Sequence, residues 1–475
     1  MVRDTSDETD RTMARPTFHF TPPSQWMNDP NGLIYSQGEY HLFYQYHPHG
    51  MLWGPMHWGH AVSADLVEWT HLPIALYPDE NGAIFSGSIV NDRDNTSGLV
   101  AGGGLVAVFS FDTQAQGIAY SSDQGRTWTK YAGNPVIPSP KRDFRDPKVF
   151  WYAPDKVWVM LLVAGDHALI YRSPNLIEWT QVSTFGAPYG SRAGVWECPD
   201  LFPLEIDGAT KWVLIISVGD GAVAGGSGTQ YFIGSFDGKT FMSENPPEHI
   251  LWLDYGPDNY AGVTYNDTPD GQRVLVAWMS NWQYARVIPA QGWRGSMAVP
   301  RTLRLENVHG QGIRLAQAPI MAIDTRRTQV TSQRNMAVED AAMILSPLPS
   351  RAMDIEVEFD ARDAEEFGLR ICTGETTFTT IGIAPLRGEV FIDRRASGNT
   401  AFHEEFGAVL RGPLLGESRR VSLRVLADSE SIEVFVNGGL TTLTALIFPP
   451  DGETRLAAYA ETGEVRLSRL DVYAL

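Results

Sequence analysis

Ser63-Ala64-Asp65-Leu66-Val67-Glu68-Trp69-Thr70 returns as Ser122-Asp123-Gln124-Gly125-Arg126-Thr127-Trp128-Thr129 and as Ser173-Pro174-Asn175-Leu176-Ile177-Glu178-Trp179-Thr180. A looser copy is Ser235-Phe236-Asp237-Gly238-Lys239-Thr240-Phe241. The aromatic residues recur at spacings of 59, 51 and 62 residues. Each copy reads as a polar turn between two strands, with the aromatic anchoring the strand that follows. Repeats of roughly 40–60 residues built from short strands are the signature of propeller blades. Five such units fill residues 17–320.

The segments between the repeats agree. Tyr40-His41-Leu42-Phe43-Tyr44, Leu105-Val106-Ala107-Val108-Phe109, Val157-Trp158-Val159-Met160-Leu161-Leu162-Val163 and Trp212-Val213-Leu214-Ile215-Ile216 are short, β-branched or aromatic, and bounded by Gly, Pro, Asn and Asp. Helical periodicity is absent from the first 320 residues, so the chain is all-β. From Ala316 to Arg327 the blade pattern stops at a Pro-containing connector. Beyond it, Ile355-Glu356-Val357-Glu358-Phe359, Val421-Ser422-Leu423-Arg424-Val425 and Ile432-Glu433-Val434-Phe435-Val436 alternate strictly, as strands of a two-sheet sandwich do. The expected organisation is a flexible acidic tail (1–16), a five-bladed β-propeller (17–320), a linker (321–330) and a C-terminal β-sandwich (331–475).

The composition narrows the function. There are 37 Lys and Arg against 56 Asp and Glu, a net charge of −19, which disfavours nucleic acid and anionic membranes as partners. Two cysteines, Cys198 and Cys372, give no disulfide framework and no zinc site. Seven of the eleven histidines precede residue 72, but their spacings match no standard ligand set, so no metal is expected. The N-terminal 15 residues lack the apolar stretch of a secretion signal, and no run of 18 apolar residues occurs. The expectation is a cytoplasmic protein. The 14 Trp, 17 Tyr and 21 Phe would suit a glycan, whose C–H faces pack on aromatic rings, although aromatics also build cores.

Three carboxylates lie within two residues of a proline in similar settings: Asp29 in Trp26-Met27-Asn28-Asp29-Pro30-Asn31-Gly32, Asp146 in Phe144-Arg145-Asp146-Pro147, and Glu197 in Trp196-Glu197-Cys198-Pro199. Their intervals of 117 and 51 residues place them in different repeat units. Equivalent strand edges of a propeller converge on its axis, so the three can share one funnel. Together they supply what glycoside cleavage needs: a group that attacks or activates water, one that protonates the leaving oxygen, and an anchor for the sugar.

In these motifs the chain resembles glycoside hydrolase family 32, the β-fructofuranosidases. Phe85-Ser86-Gly87-Ser88, Trp278-Met279-Ser280-Asn281-Trp282 and Trp293-Arg294-Gly295-Ser296-Met297 with Pro300-Arg301 extend the similarity, as do Ile392-Asp393-Arg394-Arg395 and Ile432-Glu433-Val434-Phe435-Val436-Asn437-Gly438. The resemblance implies a propeller carrying the site, followed by a sandwich, and no cofactor. It implies Asp29 as nucleophile, Glu197 as acid and then base, and Asp146 as stabiliser of an oxocarbenium-like transition state. Asn28, Gln45, Trp53, Phe85, Ser86 and Arg145 would line the fructose subsite, with Asp254, Tyr260 and Trp278 at the pocket rim. Burial beside Trp196 and the charge of Asp29 would help Glu197 hold its proton, and Cys198 would pack against the site. The implied activity is a retaining exo-β-fructosidase acting on sucrose, short fructo-oligosaccharides or fructans. The missing secretion signal favours the short substrates; Ile84-Phe85-Ser86-Gly87-Ser88 with Asn95-Thr96-Ser97-Gly98 looks more like the fructan hydrolases. The alternatives are a fructosyltransferase on the same scaffold, a catalytically silent fructan-binding protein, and a related inverting glycosidase. The oligomeric state stays open, with a homodimer compatible.

Overall fold

The structure, a computed structural model, describes residues 15–138, 141–338 and 343–475. All but the last two residues of the expected acidic tail lie outside the described residues. Five antiparallel blades and a two-sheet sandwich account for the strands. The inner strands of the blades are Gln25–Ser36, Ile84–Asp92, Phe144–Tyr152, Trp196–Ile206 and Tyr260–Thr264. Nine of the twelve residues of the first are buried, on both faces, because neighbouring blades cover it on each side, whereas the outer strand Thr70–Leu76 is largely open. The second strands, such as Gly104–Phe111 and Val157–Ala164, are covered on both faces as well, which explains why they read as apolar runs with no alternation.

The repeats form the outer turn of blades 1 to 4. In blade 1, Ser63 Oγ accepts from the Leu66 N–H, Asp65 Oδ1 accepts from the N–H groups of Val67 and Glu68, and Trp69 Nε1 donates to the Leu66 carbonyl. Asn175 and Trp179 repeat this in blade 3, and Asp237 does so in reduced form in blade 4. In blade 2 the capping serine is Ser121, so the structural repeat starts one residue before the Ser122 of the sequence reading. Its turn holds one extra residue before Trp128, whose Nε1 donates to Gly125.

The ring closes at two places. Trp293–Arg294 pairs parallel to Gln25 and Trp26, joining a late segment to blade 1. On the axis, Asn266 exchanges backbone hydrogen bonds with Leu33 and Tyr35 of blade 1, and its amide donates to the carbonyls of Ile89 and Val149 in blades 2 and 3. Gly32 sits at this crowded axis with φ of 55°, and a Cβ there would lie 2.8 Å from Ile89 and Phe43. Only glycine satisfies both conditions.

Blade 5 ends with the strand Gly312–Pro319, so residues 316–319 belong to the propeller and not to a connector. A 3-10 turn, Met321–Arg326, leads into the first sandwich strand, Thr328–Val338. The two six-stranded sheets enclose one core that includes Ile355, Phe359, Phe367, Ile381, Val434 and Leu470. Buried charges tie sandwich to propeller. Arg301 donates to Asp254 and Glu433, His19 bridges Asp428 at 2.9 Å and Glu433 at 2.8 Å, and Arg394 holds Asp258 at 2.8 Å.

Candidate active site

Every inner strand carries a β-bulge near its start, where three residues span the length of two on the neighbouring strand. The bulges lie between Met27 and Pro30, Ile84 and Gly87, Arg145 and Lys148, Glu197 and Asp200, and Tyr260 and Val263. A regular pleat sends consecutive side chains to opposite faces. The extra residue breaks that rule, so Asn28 with Asp29, Arg145 with Asp146, and Glu197 with Cys198 all reach one region at the axis. Asp146, Cys198 and Ala261 adopt φ of 64°, 45° and 55° at the equivalent bulge position. Such left-handed conformations cost non-glycine residues of order 1–3 kcal/mol each and persist where the surroundings over-determine them.

The bulges put Arg145, Glu197 and Tyr260 at the same position of successive blades, and the three side chains connect. Arg145 Nη2 donates to Glu197 Oε1 at 2.9 Å, and the Tyr260 hydroxyl donates to Glu197 Oε2. Arg145 is steadied from behind by Asp143 at 2.9 Å. Opposite this row, Asp29 Oδ1 accepts from the Asn28 amide at 3.0 Å and Oδ2 from the Ser86 hydroxyl at 3.1 Å. Asn28 is in turn oriented by Trp26 Nε1 at 2.8 Å. Asp146 is the deepest of the three acids. Its Oδ2 accepts the Cys198 N–H at 3.0 Å, and its own N–H donates to Ser110 Oγ at 2.9 Å. The Cys198 thiol lies beneath both acids, 3.7 Å from Asp29 and 3.8 Å from Asp146.

Three carboxylates in one enclosed site cannot all ionise freely. Burial and the charge of Glu197 push Asp29 up to about 6, with Asn28 and Ser86 holding it back. Burial lifts Asp146 to about 7; Arg145 opposes this, while Glu197 and Asp29 add to it. Burial and the same three acids push the Cys198 thiol far above its ordinary value, so it is no nucleophile.

The remaining candidates divide. Gln45 faces the Asn28-Asp29 bulge from the second strand and donates to Asn31 at 2.8 Å. Phe85 adjoins Ser86, and the Trp53 ring, 39% exposed, lies 5.7 Å from it at the mouth. Tyr260 is no rim residue but a direct partner of Glu197. Trp278 is fully buried behind Tyr260, packed with Trp26 and Trp282. Asp254 is a correction: its carboxylate binds Arg301 and the Thr444 N–H and hydroxyl at the domain interface, away from the funnel. Trp196 also departs from expectation. Its ring lies in the core between blades 3 and 4, and its Nε1 donates to Ser191, so it does not shield Glu197. Ser110 and Asp143 escaped the sequence reading. Asp143 had a readable signal, since it stands two residues from Arg145; a serine between Phe109 and Phe111 had none.

Matches to known proteins decide the family. "Glycosyl hydrolases family 32 N-terminal domain" matches residues 19–319, and "Glycosyl hydrolases family 32 C terminal" matches 322–474. The chain belongs to glycosyl hydrolase family 32. A levanase of Bacillus subtilis (strain 168) is 50% identical over 476 residues, covering 97% of this chain and 70% of that protein. The crystal structure of an exo-inulinase from Aspergillus awamori superposes with a TM-score of 0.91 at 36% identity, covering 98% of this chain and 99% of that one. A β-fructofuranosidase from Schwanniomyces occidentalis, solved with fructosyl-erythritol, gives a TM-score of 0.87 at 31% identity, covering 97% of both chains. The family 32 chain is thus a glycoside hydrolase built as a propeller and a sandwich.

Proposed function

We propose that this family 32 chain is a retaining exo-β-fructosidase that removes terminal β-fructofuranosyl units. Asp29 attacks the anomeric carbon while Glu197 protonates the departing oxygen, and a covalent fructosyl-enzyme results. Glu197 then takes a proton from water, which displaces Asp29. Asp146 and Arg145 bind fructose hydroxyls and steady the positive charge of the transition state. Asn28, Ser86, Gln45, Phe85 and Trp53 complete the subsite. The observation that carries this reading is the opposition of two differently held acids. Asp29 is held by Asn28 and Ser86 with the Cys198 thiol beneath it, while Glu197 is gripped on both oxygens by Arg145 and Tyr260.

Sucrose and short fructo-oligosaccharides are the proposed substrates. The names of the Bacillus levanase and the Aspergillus exo-inulinase support adding levan and inulin. The test is the fructose and glucose released from sucrose, fructo-oligosaccharides, inulin and levan, with Asp29→Asn as the blank. Fructose release that disappears in the blank supports the reading. Glucose in excess of fructose from sucrose points to transfer, and no release from any of them sinks the assignment. NMR of the first-formed fructose should show the β-anomer; the α-anomer would exclude retention.

A further inference from the structure

The catalytic residues occupy the start of each inner strand, so the ends of those strands surround the opposite mouth of the propeller axis. A cavity of about 490 Å³ opens there, within the range of small-molecule sites, roughly 300–1,000 Å³. It is separate from the catalytic funnel. Lys148 donates to the Thr264 carbonyl at 2.6 Å and pairs with Asp200 at 3.2 Å, and Asn266 ties blades 1, 2 and 3 below them. These contacts seal the axis.

We propose that this cavity is a second, non-catalytic carbohydrate site for a neutral oligosaccharide. Its walls are aromatic. Phe150 and Trp212 pack on each other from blades 3 and 4 with ring centroids 5.8 Å apart, and Trp151, 38% exposed, is backed by Trp158 at 4.9 Å. A supported, open indole offers the flat apolar surface that sugar C–H faces need. The polar groups suit hydroxyls better than ions. Arg93 and Asp267 already neutralise each other across the rim at 3.2 Å. Arg273 lines the wall with its cation against the Phe202 ring and donates to the Tyr265 carbonyl at 3.3 Å. Aromatic walls beside a guanidinium and the amides of Asn91 and Asn266 fit a polyhydroxylated neutral ligand. An anion would meet Asp92, Asp94 and Asp267 in the same lining.

The choice of probe rests on the proposed fructan chemistry; the site does not. The 475-residue chain carrying Asp29→Asn, which leaves the probe uncut, is run in native gels containing inulin or levan. It should be retarded, and adding Trp151→Ala should weaken the apparent affinity about tenfold, while Trp151→Phe restores much of it. Leu386→Ala, an exposed apolar residue of the sandwich, is the control and should migrate like the parent. With Asp29 intact, Trp151→Ala should hydrolyse sucrose at the parent rate. Absence of retardation in the parent, or equal retardation after Trp151→Ala, overturns the proposal. So does a loss of sucrose hydrolysis in step with the loss of retardation, which would mark general damage. Failure of sucrose hydrolysis in the parent refutes the fructosidase reading and leaves the Trp151 comparison intact.

Discussion

Replacing Ser86 by alanine removes one of the side-chain hydrogen bonds that hold Asp29, the 3.1 Å contact to Oδ2. Hydrogen bonds to charged groups contribute roughly 1.5–3 kcal/mol, and about 1.4 kcal/mol corresponds to one pH unit. Asp29 is half-buried, so water recovers part of the loss and about one unit remains. Asp29 already sits near 6, raised by burial and by Glu197, and Ser86 opposes that rise. Its removal therefore raises the carboxyl further. The acid limb of kcat/KM, which reports the free enzyme, should move from near pH 6 to about pH 7, belonging to the carboxylate cluster as a unit. At pH 5 the variant should be about tenfold slower than the parent, with little difference above pH 8. Stability follows the same sign. A carboxyl raised on folding stabilises the fold most below its unfolded value and loses that contribution as pH rises through 6. The variant should thus be less stable than the parent at pH 8 and alike at pH 3. Fructose release from sucrose, measured across pH 4–9, is the assay. An acid limb that stays in place or moves down would refute the assignment of Asp29 as the group that must ionise.

Tyr260→Phe removes the hydroxyl donor to Glu197 and should lower kcat by about 10²-fold with KM within a few-fold; an unchanged kcat would show that the contact is idle. Asp254→Asn removes one of the two carboxylates paired with Arg301, leaving Glu433, and should cost about 1–3 kcal/mol of stability, seen as a lower Tm with an unchanged KM for sucrose. A raised KM at constant Tm would return Asp254 to the pocket. His19 is raised to about 9, because Asp428 and Glu433 outweigh the burial that opposes its charge. Its contribution, about 3 kcal/mol, is present in full below pH 6.5 and is lost as pH rises through 9. The Tm deficit of His19→Gln should accordingly be largest near pH 6 and fade by pH 10; a deficit independent of pH would argue against a charged His19.

Much of this molecule is written in local chemistry. The outer turns of the blades depend on hydrogen bonds within about five residues, Ser63 and Asp65 to the backbone just ahead and Trp69 back to Leu66. Residues that close can be read along the chain, so the repeats and the propeller follow from the sequence. Asp29, Asp146 and Glu197 are legible for the same reason, each being embedded in its own short motif. The bulges are not legible, because a bulge is a property of two paired strands and leaves no count on either one. They decide which side chains meet, and a shift of one residue sends a side chain to the opposite face. Hence Tyr260 is brought onto Glu197 across 63 residues, while Trp196, its immediate neighbour, turns into the core. Asp254 shows the same limit: nothing near it in the chain announces Arg301 or Thr444, which lie 47 and 190 residues away. The sequence alone determined the blades, the sandwich and the three acids; the tertiary structure decided what each acid touches, because those partners come from strands that only folding brings together.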